Sequence, residues 1–178
     1  MGPAASETQA RAARVRLVLF DSDGVFTDGR IYSGAAGEDL RAFDVRDGHG
    51  LVLGRQAGLT FGVMSGRESG ALTQRAADLG LSEVHQGVKD KGQRLEEILG
   101  RLGVRADETC FMGDDLIDLP AMRRVGFAVA PCDAVPEVLD AAHFVTAQGG
   151  GRGALRELIE LILRANGTWS DVIQRFYE

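Results

Sequence analysis

Acidic side chains follow an apolar run near the start of the chain. The run Leu17-Val18-Leu19-Phe20 leads directly to Asp21 and Asp23. Such a run is typical of a strand buried on both faces of a parallel sheet, and open sheets of this kind bind ligands at the carboxyl ends of their strands. Two carboxylates at that edge could share a metal cation, or act as a nucleophile and an acid/base. For this segment alone, an aspartate-rich turn without chemistry is the alternative.

Further polar side chains stand where other predicted strands end. Ser65 follows the run LTFGVM, Lys91 opens the helix after a third strand, and the run TCFM leads to Asp114, Asp115 and Asp118. Parallel strands end at one edge of a sheet, so these groups are expected to meet. Converging carboxylates suit Mg²⁺, while a hydroxyl and an ammonium group suit a phosphate. The sequence therefore predicts a site for magnesium and a phosphate.

Strands and helices alternate along the chain. Buried strands are predicted near residues 17–20, 59–64, 84–86, 109–112, 126–129 and 143–145, with helices between them and a last helix over about 153–165. This order predicts an α/β fold with a mostly parallel sheet and helices on both faces. A small β-hairpin over about residues 30–43, with the loop Gly34-Ala35-Ala36-Gly37, is an excursion from it.

Length and composition limit the classes of protein to which the chain could belong. The chain has 178 residues, of which 20 are basic and 26 acidic. We expect a single domain over residues 1–178 and no nucleic-acid partner, because the basic residues are scattered. Cys110 and Cys132 suggest no disulfide or zinc site and indicate a reducing cytoplasm. No apolar run is long enough for a membrane span, and residues 1–14 are expected to be a flexible N-terminus.

Several segments together resemble a known family. DSDGVFTDG, MSGR, a lysine near position 91 and GDDLID resemble the four motifs of the haloacid dehalogenase superfamily. From about Arg16 to Ala165 the chain also resembles, more narrowly, the 3-deoxy-D-manno-octulosonate 8-phosphate phosphatase family, through segments that include FDVRDGHG, QGVKDKG and GGRGALREL. The resemblance implies a Rossmann-like fold without a cap domain. It also implies a cytoplasmic, Mg²⁺-dependent, homotetrameric phosphatase of lipopolysaccharide biosynthesis.

The resemblance implies roles for the residues that match the catalytic motifs. Asp21 would be the nucleophile that forms an aspartyl-phosphate, and Asp23 the acid/base that protonates the leaving sugar oxygen. Ser65 would hold the transferring phosphoryl group. Lys91 would bind the phosphate, since its spacing from Gln86-Gly87 fits better than that of Lys89.

The resemblance also implies a set of metal ligands. The metal would be held by the Asp21 carboxylate, the Asp23 backbone carbonyl and Asp114. Asp115 would act through water, and Asp118 would support the site. Because Mg²⁺ retains several waters in proteins, a partly indirect ligand set is expected.

Candidates for substrate contact are Arg46, Arg67 and Gly66. A guanidinium fork suits a sugar carboxylate, but it equally suits a surface salt bridge. Asp44 and Asp47 belong to the matching segment FDVRDGHG, and either is also a candidate cap for a helix that starts near Gly48.

Two other functions are weighed against hydrolysis of the eight-carbon sugar phosphate. One is a phosphatase for a nine-carbon ulosonate 9-phosphate, a branch that tends to carry glutamate where this chain has Arg67. The other is a non-catalytic domain of this fold, which would be expected to lack Asp23 or Lys91.

The predicted hairpin indicates self-assembly. It is too short to act as a cap over the site, and water must be excluded for efficient phosphoryl transfer. It would also expose Ile31, Tyr32, Leu40 and Phe43, and an isolated hairpin is only marginally stable. We therefore expect a homo-oligomer, with the resemblance implying a tetramer, in which hairpins form the interface and a neighbouring subunit helps to close each site.

Overall fold

One parallel sheet organises the fold. The computed structural model describes residues 3–34 and 39–177. The strands are β1 (Leu17–Asp21), β2 (Tyr32–Ser33), β3 (Asp39–Leu40), β4 (Thr60–Met64), β5 (Glu83–His85), β6 (Thr109–Met112), β7 (Phe127–Ala130) and β8 (Phe144–Val145). Six of them form a sheet in the order β5-β4-β1-β6-β7-β8, with every pair parallel. The chain extends first to one side of β1 and then to the other, so a ligand-binding crevice is expected beside the end of β1.

Helices cover both faces of the sheet, which confirms the predicted fold class. They are α1 (Pro3–Ala12), α2 (Val45–Gln56), α3 (Gly70–Leu79), α4 (Lys91–Leu102), α5 (Leu119–Met122), α6 (Pro136–Ala141), α7 (Ala154–Ala165) and α8 (Trp169–Gln174). Alternate residues of β1 enter two cores. Val18 and Phe20 pack with residues of α2 and α7, whereas Leu17 and Leu19 pack with residues of α4 and α5. Burial on both faces explains why β1 is apolar without alternation.

The predicted hairpin is present but shorter than expected. Strands β2 and β3 pair antiparallel, with Tyr32 opposite Leu40. Residues 35–37 of the predicted glycine loop lie outside the described residues. Phe43 was predicted to be exposed on the hairpin, and this is wrong. It lies beyond β3 and packs against the core, with its ring centroid 4.9 Å from that of Phe26.

The N-terminal segment also differs from its prediction. Residues 3–12 form α1 rather than a frayed tail. Ala12 is fully buried, and Arg11 Nη1 donates a hydrogen bond of 2.7 Å to the Gly126 carbonyl. The polar sequence of the segment concealed a helix that depends on these contacts with the rest of the fold. Within the described ranges, no helix is both long and apolar enough to cross a bilayer.

The two aspartates of FDVRDGHG cap different helices. Helix α2 begins at Val45 rather than near Gly48, and the Asp44 carboxylate accepts a hydrogen bond of 2.6 Å from the Arg46 amide at its start. The buried Asp47 instead reaches the start of α7. It accepts bonds from the amides of Gly153, at 3.1 Å, and Arg156, at 2.8 Å. Asp47 therefore ties α2 to the distant segment GGRGALREL.

Candidate active site

The central strands bring the predicted catalytic side chains together. Asp21 is the last residue of β1, Ser65 follows β4, and Asp114 stands two residues beyond β6. Because β1 pairs with both β4 and β6, these three residues lie at one edge of the sheet. Lys91, the first residue of α4, reaches the same edge and is only 2% exposed.

Lys91 bridges two carboxylates. Its Nζ contacts Asp21 Oδ1 and lies 2.5 Å from Asp118 Oδ1. Burial lowers the pKa of Lys91, but attraction to the Asp21 and Asp118 charges outweighs burial and raises this pKa above its usual value. The ammonium group therefore stays charged beside Asp21 and can bind an anion such as a phosphoryl group. Lys89, the competing candidate, is exposed to solvent.

Three carboxylates gather closely enough to hold a cation. Asp21, Asp114 and Asp118 each offer an oxygen within 4.8 Å of the others. Asp114 Oδ1 is buried and has no hydrogen-bond partner. Such an oxygen among like charges fits a hard divalent cation such as Mg²⁺.

Asp118 is already engaged on both of its oxygens. Oδ1 binds Lys91, and Oδ2 accepts from the backbone amides of Asp114, at 3.0 Å, and Asp115, at 3.2 Å. It therefore positions the loop after β6, as a supporting residue would. Asp115 is exposed, and its carboxylate accepts a bond of 2.7 Å from the Leu116 amide.

Asp21 and Asp114 hold protons more tightly than isolated aspartates do. Burial raises the pKa of Asp21 to about 6, against the attraction of Lys91. Burial, followed by repulsion from Asp21 and Asp118, raises the pKa of Asp114 to about 8. A cation would compete with these protons and favour the ionised carboxylates.

Glycine permits the backbone after β1 to approach Asp114. Gly24 has a φ of +99°, and a Cβ there would lie 2.0 Å from Asp114 Oδ2. Gly150 packs against this turn in the same way, since a Cβ at its position would lie 1.8 Å from the Gly24 carbonyl oxygen. The loop that carries Asp23 is therefore held directly over the Asp114 carboxylate.

Ser65 and its neighbours occupy the side of the site beside β4. Ser65 is 2% exposed, and its Oγ accepts a bond of 3.1 Å from the Arg67 amide. The hydroxyl hydrogen is therefore available to donate to a phosphoryl oxygen. Gly66 and Arg67 are exposed, where a bound substrate could contact them.

Arg46, near the start of α2, contacts Asp44 and the backbone of Arg152. Its Nη2 donates to Asp44 Oδ2 at 2.8 Å and to the Arg152 carbonyl at 2.9 Å. Contact of Arg46 with substrate stays a prediction. The alternative of a surface salt bridge holds, because Asp44 lies only two residues away and engages the guanidinium.

Sequence reasoning missed Arg41. Its Nη1 contacts Asp23 Oδ1, and its side chain is 1% exposed. Burial, and then repulsion by Arg67, lower the pKa of Arg41, while Asp21 opposes this change. The one signal in the sequence is a basic residue directly after the apolar Leu40, within a hairpin whose pattern indicates only an interface.

Known proteins resemble the chain over most of its length. A family model for haloacid dehalogenase-like hydrolases matches residues 78–156. The 3-deoxy-D-manno-octulosonate 8-phosphate phosphatase of Yersinia pestis is 44% identical over 164 residues, covering 92% of this chain and 88% of that relative.

Solved structures share the fold. The Moraxella catarrhalis phosphatase of the same name, in complex with magnesium ion, phosphate ion and KDO, is 34% identical with a TM-score of 0.94, covering 96% of this chain and 98% of its own. The cobalt-bound Haemophilus influenzae phosphatase is 37% identical with a TM-score of 0.89, covering 94% of this chain and 99% of its own.

Proposed function

Because this chain belongs to the 3-deoxy-D-manno-octulosonate 8-phosphate phosphatase family of haloacid dehalogenase-like hydrolases, we propose that it is an Mg²⁺-dependent phosphatase of lipopolysaccharide biosynthesis. It hydrolyses 3-deoxy-D-manno-octulosonate 8-phosphate to the free sugar acid and phosphate. The observation that carries the proposal is the placement of Asp21 at the end of β1, in contact with Lys91 and beside Asp114.

The reaction proceeds in two displacements. Asp21 attacks phosphorus, the bond from phosphorus to the sugar oxygen breaks, and Asp23 gives its proton to that oxygen. A water molecule, whose proton returns to Asp23, then attacks the aspartyl-phosphate and releases phosphate and the Asp21 carboxylate. Lys91 and the Ser65 hydroxyl hold the phosphoryl oxygens in place during both displacements.

The Asp21 and Asp114 carboxylates and the Asp23 backbone carbonyl would hold Mg²⁺. The bound cation would neutralise the negative charge that gathers around the phosphoryl group. Asp118 orients the loop that carries Asp114 and keeps Lys91 in place, and Asp115 contributes through water.

A substrate panel tests this function. With Mg²⁺ present, the eight-carbon 8-phosphate should be hydrolysed with a higher kcat/KM than a nine-carbon ulosonate 9-phosphate, because the named relatives act on the eight-carbon sugar. A preference for the nine-carbon substrate would transfer the assignment to that branch. The presence of Asp23 and Lys91 argues against a non-catalytic domain, which would hydrolyse neither.

The proposed homotetramer assembles through the hairpin. Ile31 is 36% exposed, Tyr32 is 50% exposed and Leu40 is 64% exposed. Large apolar side chains grouped on a two-stranded hairpin favour packing against copies of it. A neighbouring subunit would then also cover the active site, which is expected to require exclusion of water.

Light scattering tests the assembly. Wild type should have the mass of a tetramer, and Leu40→Lys together with Tyr32→Lys should reduce that mass and the activity. Phe43 is unsuitable for this test because it is partly buried and packs against the core. A fully active wild-type monomer would refute the assembly.

We also propose that residues 1–178 form one domain that works in the cytoplasm. Both core clusters share the central sheet, which supports a single domain. The buried Cys110 and the exposed Cys132 are free thiols, as expected in a reducing compartment.

A further inference from the structure

A glycine-rich loop, residues 149–151, packs against the turn at Gly24. The Gly151 amide donates a hydrogen bond of 2.9 Å to the Val25 carbonyl. A Cβ at Gly150 would lie 1.8 Å from the Gly24 carbonyl oxygen, so the two backbones are in direct contact. Since this turn lies over the proposed metal site, the position of the 149–151 loop determines how closely the turn approaches that site.

Asp133, in the turn after β7, holds the 149–151 loop through its carboxylate. Its Oδ1 accepts a hydrogen bond of 2.9 Å from the Gly150 amide. A Cβ at Gly149 would lie 2.5 Å from Asp133 Oδ2 and 2.9 Å from Asp133 Cγ. Contacts this short are essentially never seen for a Cβ, so glycine at position 149 is what lets the carboxylate reach the loop.

The segment that carries Asp133 also contacts the metal-binding side of the site directly. The Val135 amide donates a hydrogen bond of 2.9 Å to the Asp114 carbonyl. Residues 133–135 therefore hold the Asp114 backbone and, through the 149–151 loop, the turn at Gly24. Asp133 is exposed to solvent, and it holds the loop by a hydrogen bond to a backbone amide. Its influence on the site is therefore exerted through the loop.

We propose that Asp133 is a positioning residue for the metal site, acting through Gly150 and Gly24 on the Asp114 carboxylate. This assignment rests on the proposed function, in which Asp114 is a ligand of Mg²⁺. Because Mg²⁺ demands near-ideal octahedral geometry, a small displacement of a ligand weakens its binding. Residues that orient metal ligands typically contribute about 10- to 100-fold to metal affinity. Two backbone contacts separate Asp133 from the ligand, so we expect an effect at the lower end of this range.

Substitutions at Asp133 test the hydrogen bond to the loop. Asp133→Ala removes it and should raise the Kd for Mg²⁺ roughly 10-fold. Asp133→Asn keeps an oxygen that can accept from the Gly150 amide but loses the charge that strengthens the bond, so it should recover part of the affinity. Asp140→Ala is the matched control, because Asp140 in α6 is also exposed and the same charge is removed. It should leave the Kd unchanged.

Gly149→Ala displaces the Asp133 carboxylate from a second direction. The three atoms nearest to the position of its Cβ all belong to that carboxylate. Gly149 is not among the glycines with a positive φ, so alanine there bears no left-handed backbone cost. Gly149→Ala should therefore raise the Kd for Mg²⁺ as Asp133→Ala does. In a protein that already carries Asp133→Ala, the carboxylate is gone and Gly149→Ala should cause no further loss.

Isothermal titration calorimetry with Mg²⁺, in the absence of substrate, measures the Kd of each variant, and urea unfolding in a chelator measures its stability. The double variant should bind Mg²⁺ no more weakly than either single variant. A wild-type Kd in Asp133→Ala, with only the urea midpoint lowered, would overturn the inference, as would losses of affinity that multiply in the double variant. If Asp133→Ala does not fold, Asp133→Asn and Gly149→Ala provide the same comparison with wild type. Failure of wild type to bind Mg²⁺ would instead refute the metal site of the proposed function.

Discussion

Replacement of Gly24 by alanine should weaken both magnesium binding and the fold. A Cβ at this position would lie 2.0 Å from Asp114 Oδ2 and 2.5 Å from Asp114 Cγ. Contacts shorter than 3.0 Å are essentially never seen for a Cβ, so the carboxylate must move by about 1 Å or more. Mg²⁺ requires near-ideal octahedral geometry with ligands at about 2.0–2.1 Å. A displacement of this size is expected to lower Mg²⁺ affinity about 10- to 100-fold, comparable to the loss of a supporting residue.

The backbone conformation at Gly24 lowers the stability of the alanine variant separately. Gly24 has a φ of +99°, which is unfavourable for alanine and should reduce the free energy of unfolding by about 1–2 kcal/mol. Gly58→Ala is the matched control, because Gly58 has a similar φ of +92° and no atom lies within 4 Å of the position that an alanine Cβ would take there. It should show the backbone cost without a change in Mg²⁺ affinity.

Isothermal titration calorimetry with Mg²⁺ and urea unfolding in a chelator measure the two effects separately. In the chelator, Gly24→Ala and Gly58→Ala should lose a similar free energy of unfolding, because both bear the backbone cost. Only Gly24→Ala should lose affinity for Mg²⁺. Wild-type affinity in a folded Gly24→Ala protein would refute the assignment of Asp114 as a ligand held against this turn.

Three further predictions concern the chemistry of the site. Asp21→Asn and Asp23→Asn should each abolish turnover in a folded protein. Only proteins that keep Asp21 should bind beryllium fluoride as an acyl-phosphate mimic. Substantial activity of Asp21→Asn would exclude the covalent mechanism. Excess chelator should abolish activity, and Mg²⁺ should restore it. Ca²⁺ should inhibit the enzyme, because the larger and more flexible coordination shell of Ca²⁺ disrupts the reacting geometry. Full activity in chelator would exclude a metal role. The rise in Tm caused by Mg²⁺ should grow from pH 6 to pH 8. The pKa values of Asp21, about 6, and Asp114, about 8, are raised, so the metal-free protein loses stability as the pH rises through them. A rise in Tm that does not depend on pH would contradict those pKa values.

The sequence predicts the sheet well because its strands are short apolar runs with polar residues at their ends. The predicted strand at 109–112 matches β6. The helix predicted to be the last differs from α7 by one residue at its start, but α8 follows it. The N-terminal helix α1 and the packing of Phe43 against the core were missed, since both depend on contacts with distant parts of the chain. Pattern and propensity carry no information about such contacts.

The residues of the candidate site also divide into those that the sequence predicts and those that it does not. Strand ends place Asp21, Ser65 and Asp114 from the sequence alone, because parallel strands share an edge. The contact of Lys91 with Asp118 requires the packing of α4 against the loop after β6, and no spacing rule predicts it. Arg41 was missed because whether a side chain beside a two-residue strand points inwards depends on the tertiary fold.

The buried Asp47 shows that a residue within a family-specific segment can matter without touching the reacting groups. It accepts hydrogen bonds from the Gly153 and Arg156 amides at the start of α7. In a growth-based mutational scan, substitutions at Asp47 would therefore deplete cells of folded enzyme and score like losses of Asp21. Measurements of protein abundance alongside growth would distinguish these two classes of variant, and would prevent Asp47 from being taken for a participant in phosphoryl transfer.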